Sequence, residues 1–204
     1  LNGGPVEERN ALRCSRFYVS SINLPAAAVG VASRAEDLVA CVALTRVTRW
    51  RHSDRLEYET TFDNQARDHR LRVCFQNHRA DSFTALPFSS AEGQFDVVRR
   101  PLVHPLADEG ASTFYPQQNW VALSGRYGDS PDLHTVAVLN QGLPEYEIYP
   151  AANGAQIAVT LLRGVNYISR RGDGPQLETP EAQCIGGNTY RYALLETRGG
   201  WEEG

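Results

Sequence analysis

The chain has 204 residues, 42% of them apolar and 22% charged, with a net charge of −4. That length and apolar content suit one large β domain or two small ones. Without a basic excess there is nothing to neutralise a phosphate backbone, which argues against a nucleic-acid partner. The longest apolar runs, such as Leu38 to Leu44, fall far short of the roughly 20 residues a membrane-spanning helix needs.

In chain order, Asn2-Gly3-Gly4-Pro5 is a turn cluster, and Phe17 to Ile22 alternates weakly enough to predict one strand. Leu24 to Ala35 has no clean period, and its stretch Ala26 to Ala35 is where a short helix is expected. From Leu38 the β signal is strong. Leu38 to Trp50 is rich in Val, Thr and Leu, while Arg55 to Phe62 and His69 to Phe75 alternate polar with apolar as half-buried strands do. Asp63 to Asp68 between them carries turn chemistry and reads as a solvated, locally capped loop.

Further strands are predicted at Asp81 to Leu86, Gln94 to Arg99, Asn119 to Ser124, Thr135 to Leu139, Glu145 to Tyr149, Gln156 to Leu162, Asn166 to Ser169 and Thr189 to Glu196. Asn140 to Pro144 forms a turn and Asn153-Gly154 a hairpin signal. The 17 glycines and 11 prolines spread between the runs break any long helix. This pattern predicts an all-β, antiparallel sandwich in one domain over residues 1–204, with residues 1–37 as a lead-in.

The chemistry is sparse. Cys14, Cys41, Cys74 and Cys184 are too widely spaced for a structural zinc motif. They read as free thiols of a reducing compartment, and together with the lack of a leader they point to the cytoplasm. His52, His69, His78, His104 and His134 form no ligand pair. No G-x-S-x-G elbow and no phosphate loop are present. Asp63 and Asp68, five apart, are a carboxylate pair of the kind glycoside hydrolysis uses, but a charged turn explains them better.

Aromatic residues are more suggestive. Phe114, Tyr115 and Trp120 lie among Gln117, Gln118 and Asn119, and Tyr146 and Tyr149 flank Glu147, a composition suited either to a sugar surface or to a β core. Arg163, Arg170 and Arg171 flank a run containing Tyr167, and arginine suits carboxylate recognition.

Six stretches, in order, carry a resemblance. They are Asp63-Asn64-Gln65-Ala66-Arg67-Asp68-His69-Arg70-Leu71-Arg72-Val73, then Phe95-Asp96-Val97-Val98, then Phe114-Tyr115-Pro116-Gln117-Gln118-Asn119-Trp120-Val121. Ala137 to Glu147, Ile157 to Arg163, and Gly174-Pro175 with Thr179-Pro180-Glu181-Ala182-Gln183-Cys184 complete the set. Together they resemble the C-terminal β region of bacterial glycoside hydrolase family 38, the α-mannosidase and mannosylglycerate hydrolase group.

The resemblance implies a supersandwich similar to that of galactose mutarotase. It implies a parent enzyme that hydrolyses α-mannosidic bonds with retention, using zinc in an N-terminal barrel that is followed by a helical bundle. It carries over no catalytic residue, metal ligand or cofactor to this chain. Arg163 falls where a family arginine approaches substrate, and Tyr167, Arg170, Trp120 and Tyr115 are the other expected mannoside contacts.

The expected partners are therefore the barrel and bundle of the same polypeptide. The Leu1 start and the absence of Met fit a piece of a longer protein. An exposed apolar patch is expected where those domains pack, and it would also permit a homodimer. The alternative reading is a stand-alone carbohydrate-binding module. A complete small hydrolase or epimerase on the same sandwich is a third.

Overall fold

The computed structural model describes residues 5–30, 33–77, 89–92, 98–100, 114–126, 132–151, 154–169 and 174–200. Fifteen strands and one short 3-10 turn lie among them. The strands are β1 (Val6–Arg9), β2 (Arg13–Pro25), β3 (Ala28–Val29), β4 (Ser33–Arg34), β5 (Leu38–Trp50), β6 (Leu56–Asn64), β7 (Arg70–Asn77) and β8 (Ser89–Glu92). They continue as β9 (Val98–Arg100), β10 (Phe114–Pro116), β11 (Trp120–Arg126), β12 (Leu133–Asn140), β13 (Glu145–Ala151), β14 (Gly154–Arg163) and β15 (Gly186–Arg198). The 3-10 turn is Pro180–Gln183. The chain divides into two compact units, and β5, β6, β7, β14 and β15 each pass from one to the other.

The first unit comprises residues 1–48, 58–71 and 161–190. Its main sheet has the strand order β1-β2-β5-β6-β15. Alternation sets its core: along β6, Thr60, Phe62 and Asn64 point inward while Thr61 and Asp63 point out. Phe62, Cys41 and Ala66 are fully buried, with Leu24, Val39, Ala43, Leu71 and Tyr190 packed around them.

Hydroxyl pairs knit neighbouring strands of this sheet. Ser15 meets Thr48 at 2.9 Å, Thr45 meets Thr60 at 3.0 Å and Thr61 meets Thr189 at 3.1 Å. Each pair satisfies polar groups that β-branched strand residues bring with them.

The described residues of the stretch, 26–30 and 33–35, are not helical. β3 and β4 form a small antiparallel hairpin, with Gly30 at φ 74°, and the Ala35 N–H donates to the Ala27 carbonyl at 3.0 Å. The Ala26 N–H donates to the Asp37 carbonyl at 2.8 Å, so the backbone bonds laterally instead of along a helix. The described residues among the first 37 therefore contribute four strands from Val6 onward.

The second unit comprises residues 49–57, 72–160 and 191–204. One sheet has the order β15-β12-β11-β8-β9 and the other β10-β13-β14-β7. The β15–β12, β12–β11, β11–β8, β8–β9, β10–β13 and β13–β14 ladders are antiparallel. Val121, Leu123, Val136, Val138, Tyr146, Ile157 and Val159 are buried between the layers. Phe75 of β7 meets Tyr192 of β15 edge-on, with ring centroids 5.9 Å apart, which ties one sheet to the other.

The turn after β12 places Gly142 at φ 72°, and Asn140 caps it by accepting the Leu143 N–H at 2.9 Å. The hairpin between β13 and β14 closes at the pair Ala151↔Gly154. The strand expected at Asp81 to Leu86 lies outside the described residues, as do positions 94–97 of another. Asn166 to Ser169 forms no strand; Tyr167 makes a single bridge to Glu178.

Truncating Phe62 removes the largest apolar side chain of the first core. The variant Phe62→Ala is expected to lose about 3–5 kcal/mol, measured as a lower urea midpoint with an unchanged far-ultraviolet spectrum.

Candidate functional site

The most highly organised polar site lies in the first unit, where β6 ends. Asn64 is fully buried there. Its Oδ1 accepts the Ala66 N–H at 3.1 Å, while its Nδ2 donates to the carbonyls of Gln183 at 2.9 Å and Cys184 at 3.2 Å. The charged loop expected to be solvated is therefore anchored inward at Asn64 and Ala66. Asp68 takes φ 55°, a left-handed conformation that Asp tolerates better than most residues.

Gln183 closes the site. Pro180 starts the 3-10 turn, whose fourth residue is Gln183, and Cys184 ends it at φ 49°. The Gln183 side chain is 1% exposed. Its Oε1 accepts the Asp68 N–H at 2.8 Å, and its Nε2 donates to Asp68 Oδ1 and to Asn166 Oδ1, both at 2.8 Å. Asn166 Nδ2 donates in turn to Asp68 Oδ2 at 2.9 Å. The three side chains thus form a closed ring of hydrogen bonds, two of them to a carboxylate and so stronger than neutral ones.

The Arg34 guanidinium donates to the Asp68 carbonyl. Gly164 donates its N–H to the His69 carbonyl at 2.8 Å, and a Cβ there would stand 2.8 Å from Gln183 Oε1. A side chain at this position would force the Gln183 amide to move out of the ring.

His69 stands beside this network. Both ring nitrogens are buried and neither completes a side-chain hydrogen bond, and the ring lies 6.5 Å from that of Phe62. Burial, then the Arg34 charge, push its pKa below the ordinary histidine value, against smaller opposing effects from the Arg67 backbone and Asp68. Tyr190, in the same unit, is pushed up to about 12, chiefly by burial.

The expected contact residues fall in different places. Arg163 is exposed at the end of β14 in the first unit, and Tyr167 is 43% exposed in the loop that follows. Arg170 lies outside the described residues. Tyr115 and Trp120 belong to the second unit.

Tyr115 is buried at 8% exposure, its ring 5.7 Å from that of the fully buried Tyr146. It faces the core because it pairs with Tyr146 across the β10–β13 ladder. Phe114 is 38% exposed and Trp120 half-buried. Sequence reasoning missed the ring itself. Asn166 was read as a strand residue, and Gln183 entered only as part of a motif. The Pro180 that starts the turn is the one local signal for it.

Among the described residues no group of three or more His, Cys, Asp or Glu side chains is placed to hold a metal ion. No helix among them is long and apolar enough to cross a membrane. The fold defines the class as an all-β, antiparallel, β-sandwich protein.

No protein-family model matches the chain. Two solved structures match it over 98% of its length: an α-mannosidase from Enterococcus faecalis V583 (29% identity, TM-score 0.77) and a glycosyl hydrolase family 38 protein from Enterococcus faecalis (28% identity, TM-score 0.74). A curated Halalkalibacterium halodurans protein named "Putative mannosylglycerate hydrolase" is 31% identical over 175 residues, 82% of this chain. The chain is a homologue of glycoside hydrolase family 38 proteins and corresponds to a β-sandwich region of them. It spans 17% of the length of the curated relative and 22% and 23% of the two solved chains.

The depressed His69 pKa has a consequence for stability. A histidine that resists protonation when folded binds its proton more readily when unfolded. The fold is therefore unaffected well above the ordinary value of about 6.5 and loses stability as pH falls below it. Lowering pH from 7.5 to 5.5 is expected to reduce the melting temperature more in the native protein than in His69→Phe, each followed by differential scanning fluorimetry. Equal shifts would show that His69 is not the group responsible.

Proposed function

We propose that this chain is the C-terminal β domain of an α-mannosidase-type glycoside hydrolase. It packs on an N-terminal catalytic barrel and a helical bundle of the same polypeptide and shapes the cleft. The observation that carries this reading is one of proportion. Nearly the whole chain matches α-mannosidase-type proteins, yet the match fills less than a quarter of each solved chain. In this reading the whole protein hydrolyses α-mannosidic bonds with retention. By the family resemblance, its zinc is held by residues of the barrel.

Surface chemistry supports the packing role. Tyr18, Val19, Ile22, Leu38, Val42 and Leu44, on β2 and β5 of the first unit, are each at least 37% exposed. Exposed large apolar side chains on these two strands supply apolar area that a neighbouring domain could cover. In an isolated chain the same side chains would favour homodimers.

Arg163 and Tyr167 are the residues of this unit proposed to reach the mannoside, since both are exposed on one connection. Trp120 is a weaker contact, and Arg170 stays a proposal from the family resemblance alone. Four free thiols support a reducing compartment, the cytoplasm. The rival reading, a stand-alone carbohydrate-binding module, loses its central aromatic because Tyr115 is committed to the core.

The test uses the full polypeptide that carries this chain and an aryl α-mannoside. Arg163→Ala is expected to raise KM about tenfold, as loss of a charged hydrogen bond does, while the isolated 204-residue chain hydrolyses nothing. Hydrolysis by the isolated chain would contradict the proposal. An unchanged KM in Arg163→Ala would remove Arg163 from the cleft.

A further inference from the structure

Beyond Arg163, residues 164–169 and 174–179 lie side by side as two arms. Thr179 ties the base twice: its N–H donates to the Asn166 carbonyl at 2.8 Å, and its Oγ1 donates to the Val165 carbonyl at 2.9 Å. Further out, Tyr167 bridges Glu178, the Ile168 N–H donates to the Leu177 carbonyl at 3.1 Å, and Ser169 Oγ donates to the Pro175 carbonyl at 2.8 Å.

This flap carries large apolar side chains outward: Tyr167 is 43% exposed, Ile168 66% and Leu177 59%. Fixing each residue costs about 1–2 kcal/mol of conformational entropy, and the hydrogen bonds at the base and along the arms are among the interactions that offset it.

We propose that Gln183, acting with Asp68 and Asn166, is the positioning residue for this flap, and that the flap is the part of the first unit presented to the mannoside cleft. The proposal rests on the α-mannosidase reading given above.

The exposed Arg163 and Tyr167 on this connection carry the cleft role, and three observations carry the positioning role. Gln183 is almost fully buried, and its oxygen and both amide protons are spent on Asp68 and Asn166. Asn166 is the first-arm residue through which the ring grips the flap, and its own carbonyl accepts the N–H of Thr179 in the second arm. Gly164, where the flap leaves β14, has no space for a Cβ against Gln183. One neutral side chain therefore fixes both the departure point and the base of the flap. Pre-setting a contact surface in this way spares the ordering cost at the moment of binding.

Asn166→Asp in the full polypeptide tests this without adding a buried charge, because Asn166 is exposed. The change replaces the amide donor with a carboxylate facing Asp68 Oδ2. Two carboxylates so close repel when both are ionised and share a proton when pH falls. At pH 7.5 the amides of Gly164, Ile168 and Thr179 are expected to exchange hydrogen about tenfold faster than in the native protein. KM for an aryl α-mannoside is expected to rise roughly fivefold, with kcat within about twofold. Both differences from the native protein should shrink near pH 5.

Gly164→Ala crowds the ring from the other side. It should raise KM in the same direction but without the acid rescue. Unchanged exchange in both variants overturns the proposal. Faster exchange with unchanged KM also overturns it, and Arg163→Ala then identifies what failed. A raised KM in Arg163→Ala leaves the α-mannosidase reading standing, whereas no effect in any of the three variants removes the cleft role altogether.

Discussion

The amide of Gln183 is the interaction on which the first unit's polar architecture turns. A buried primary amide must place one acceptor and two donors, and any left unpaired costs roughly 1–3 kcal/mol. Here all three are placed on Asp68 and Asn166. Asn64 adds the second link, its Nδ2 donating to the successive carbonyls of Gln183 and Cys184. Segments more than a hundred residues apart in sequence are thereby held in one arrangement. A change that breaks one member strands the others, so the network behaves as a unit and not as separate bonds.

Within each unit the sheets supply what such a network needs, a rigid frame. In the first, hydroxyl pairs run across successive strands from Ser15 to Thr189 and leave Phe62 and Cys41 sealed beneath. The second unit is more conventionally apolar, with Val121, Val138, Tyr146 and Val159 wholly enclosed.

The strands were legible where β-branched and other apolar residues run together between turn signals. Leu38 to Trp50 matches β5 to the residue, and the run around Thr135 to Leu139 matches β12 within two residues at its start and one at its end. Composition misled at Ala26 to Ala35. Alanine favours helix in isolation, but Gly30 in the left-handed region and lateral bonds from Ala26 and Ala35 close a hairpin instead. Asp63 to Asp68 read as a solvated turn because its local caps, such as Asn64 on the Ala66 N–H, can be seen in the sequence while the partner of the Asn64 amide nitrogen cannot. That partner lies 119 residues later. Periodicity reports which face is buried and is blind to polar partners brought in by the fold. Tyr115 shows the same limit, since an aromatic among amides reads alike whether it meets a sugar or Tyr146.

The family assignment and the site bear on one question, whether this sandwich works as part of a larger mannoside-cleaving polypeptide. The most direct measurement is to purify the native protein by an antibody against this chain, then to determine its intact mass and its activity on an aryl α-mannoside. The account expects a polypeptide several times longer than 204 residues that cleaves the mannoside. A protein of 204 residues with no such activity would contradict it.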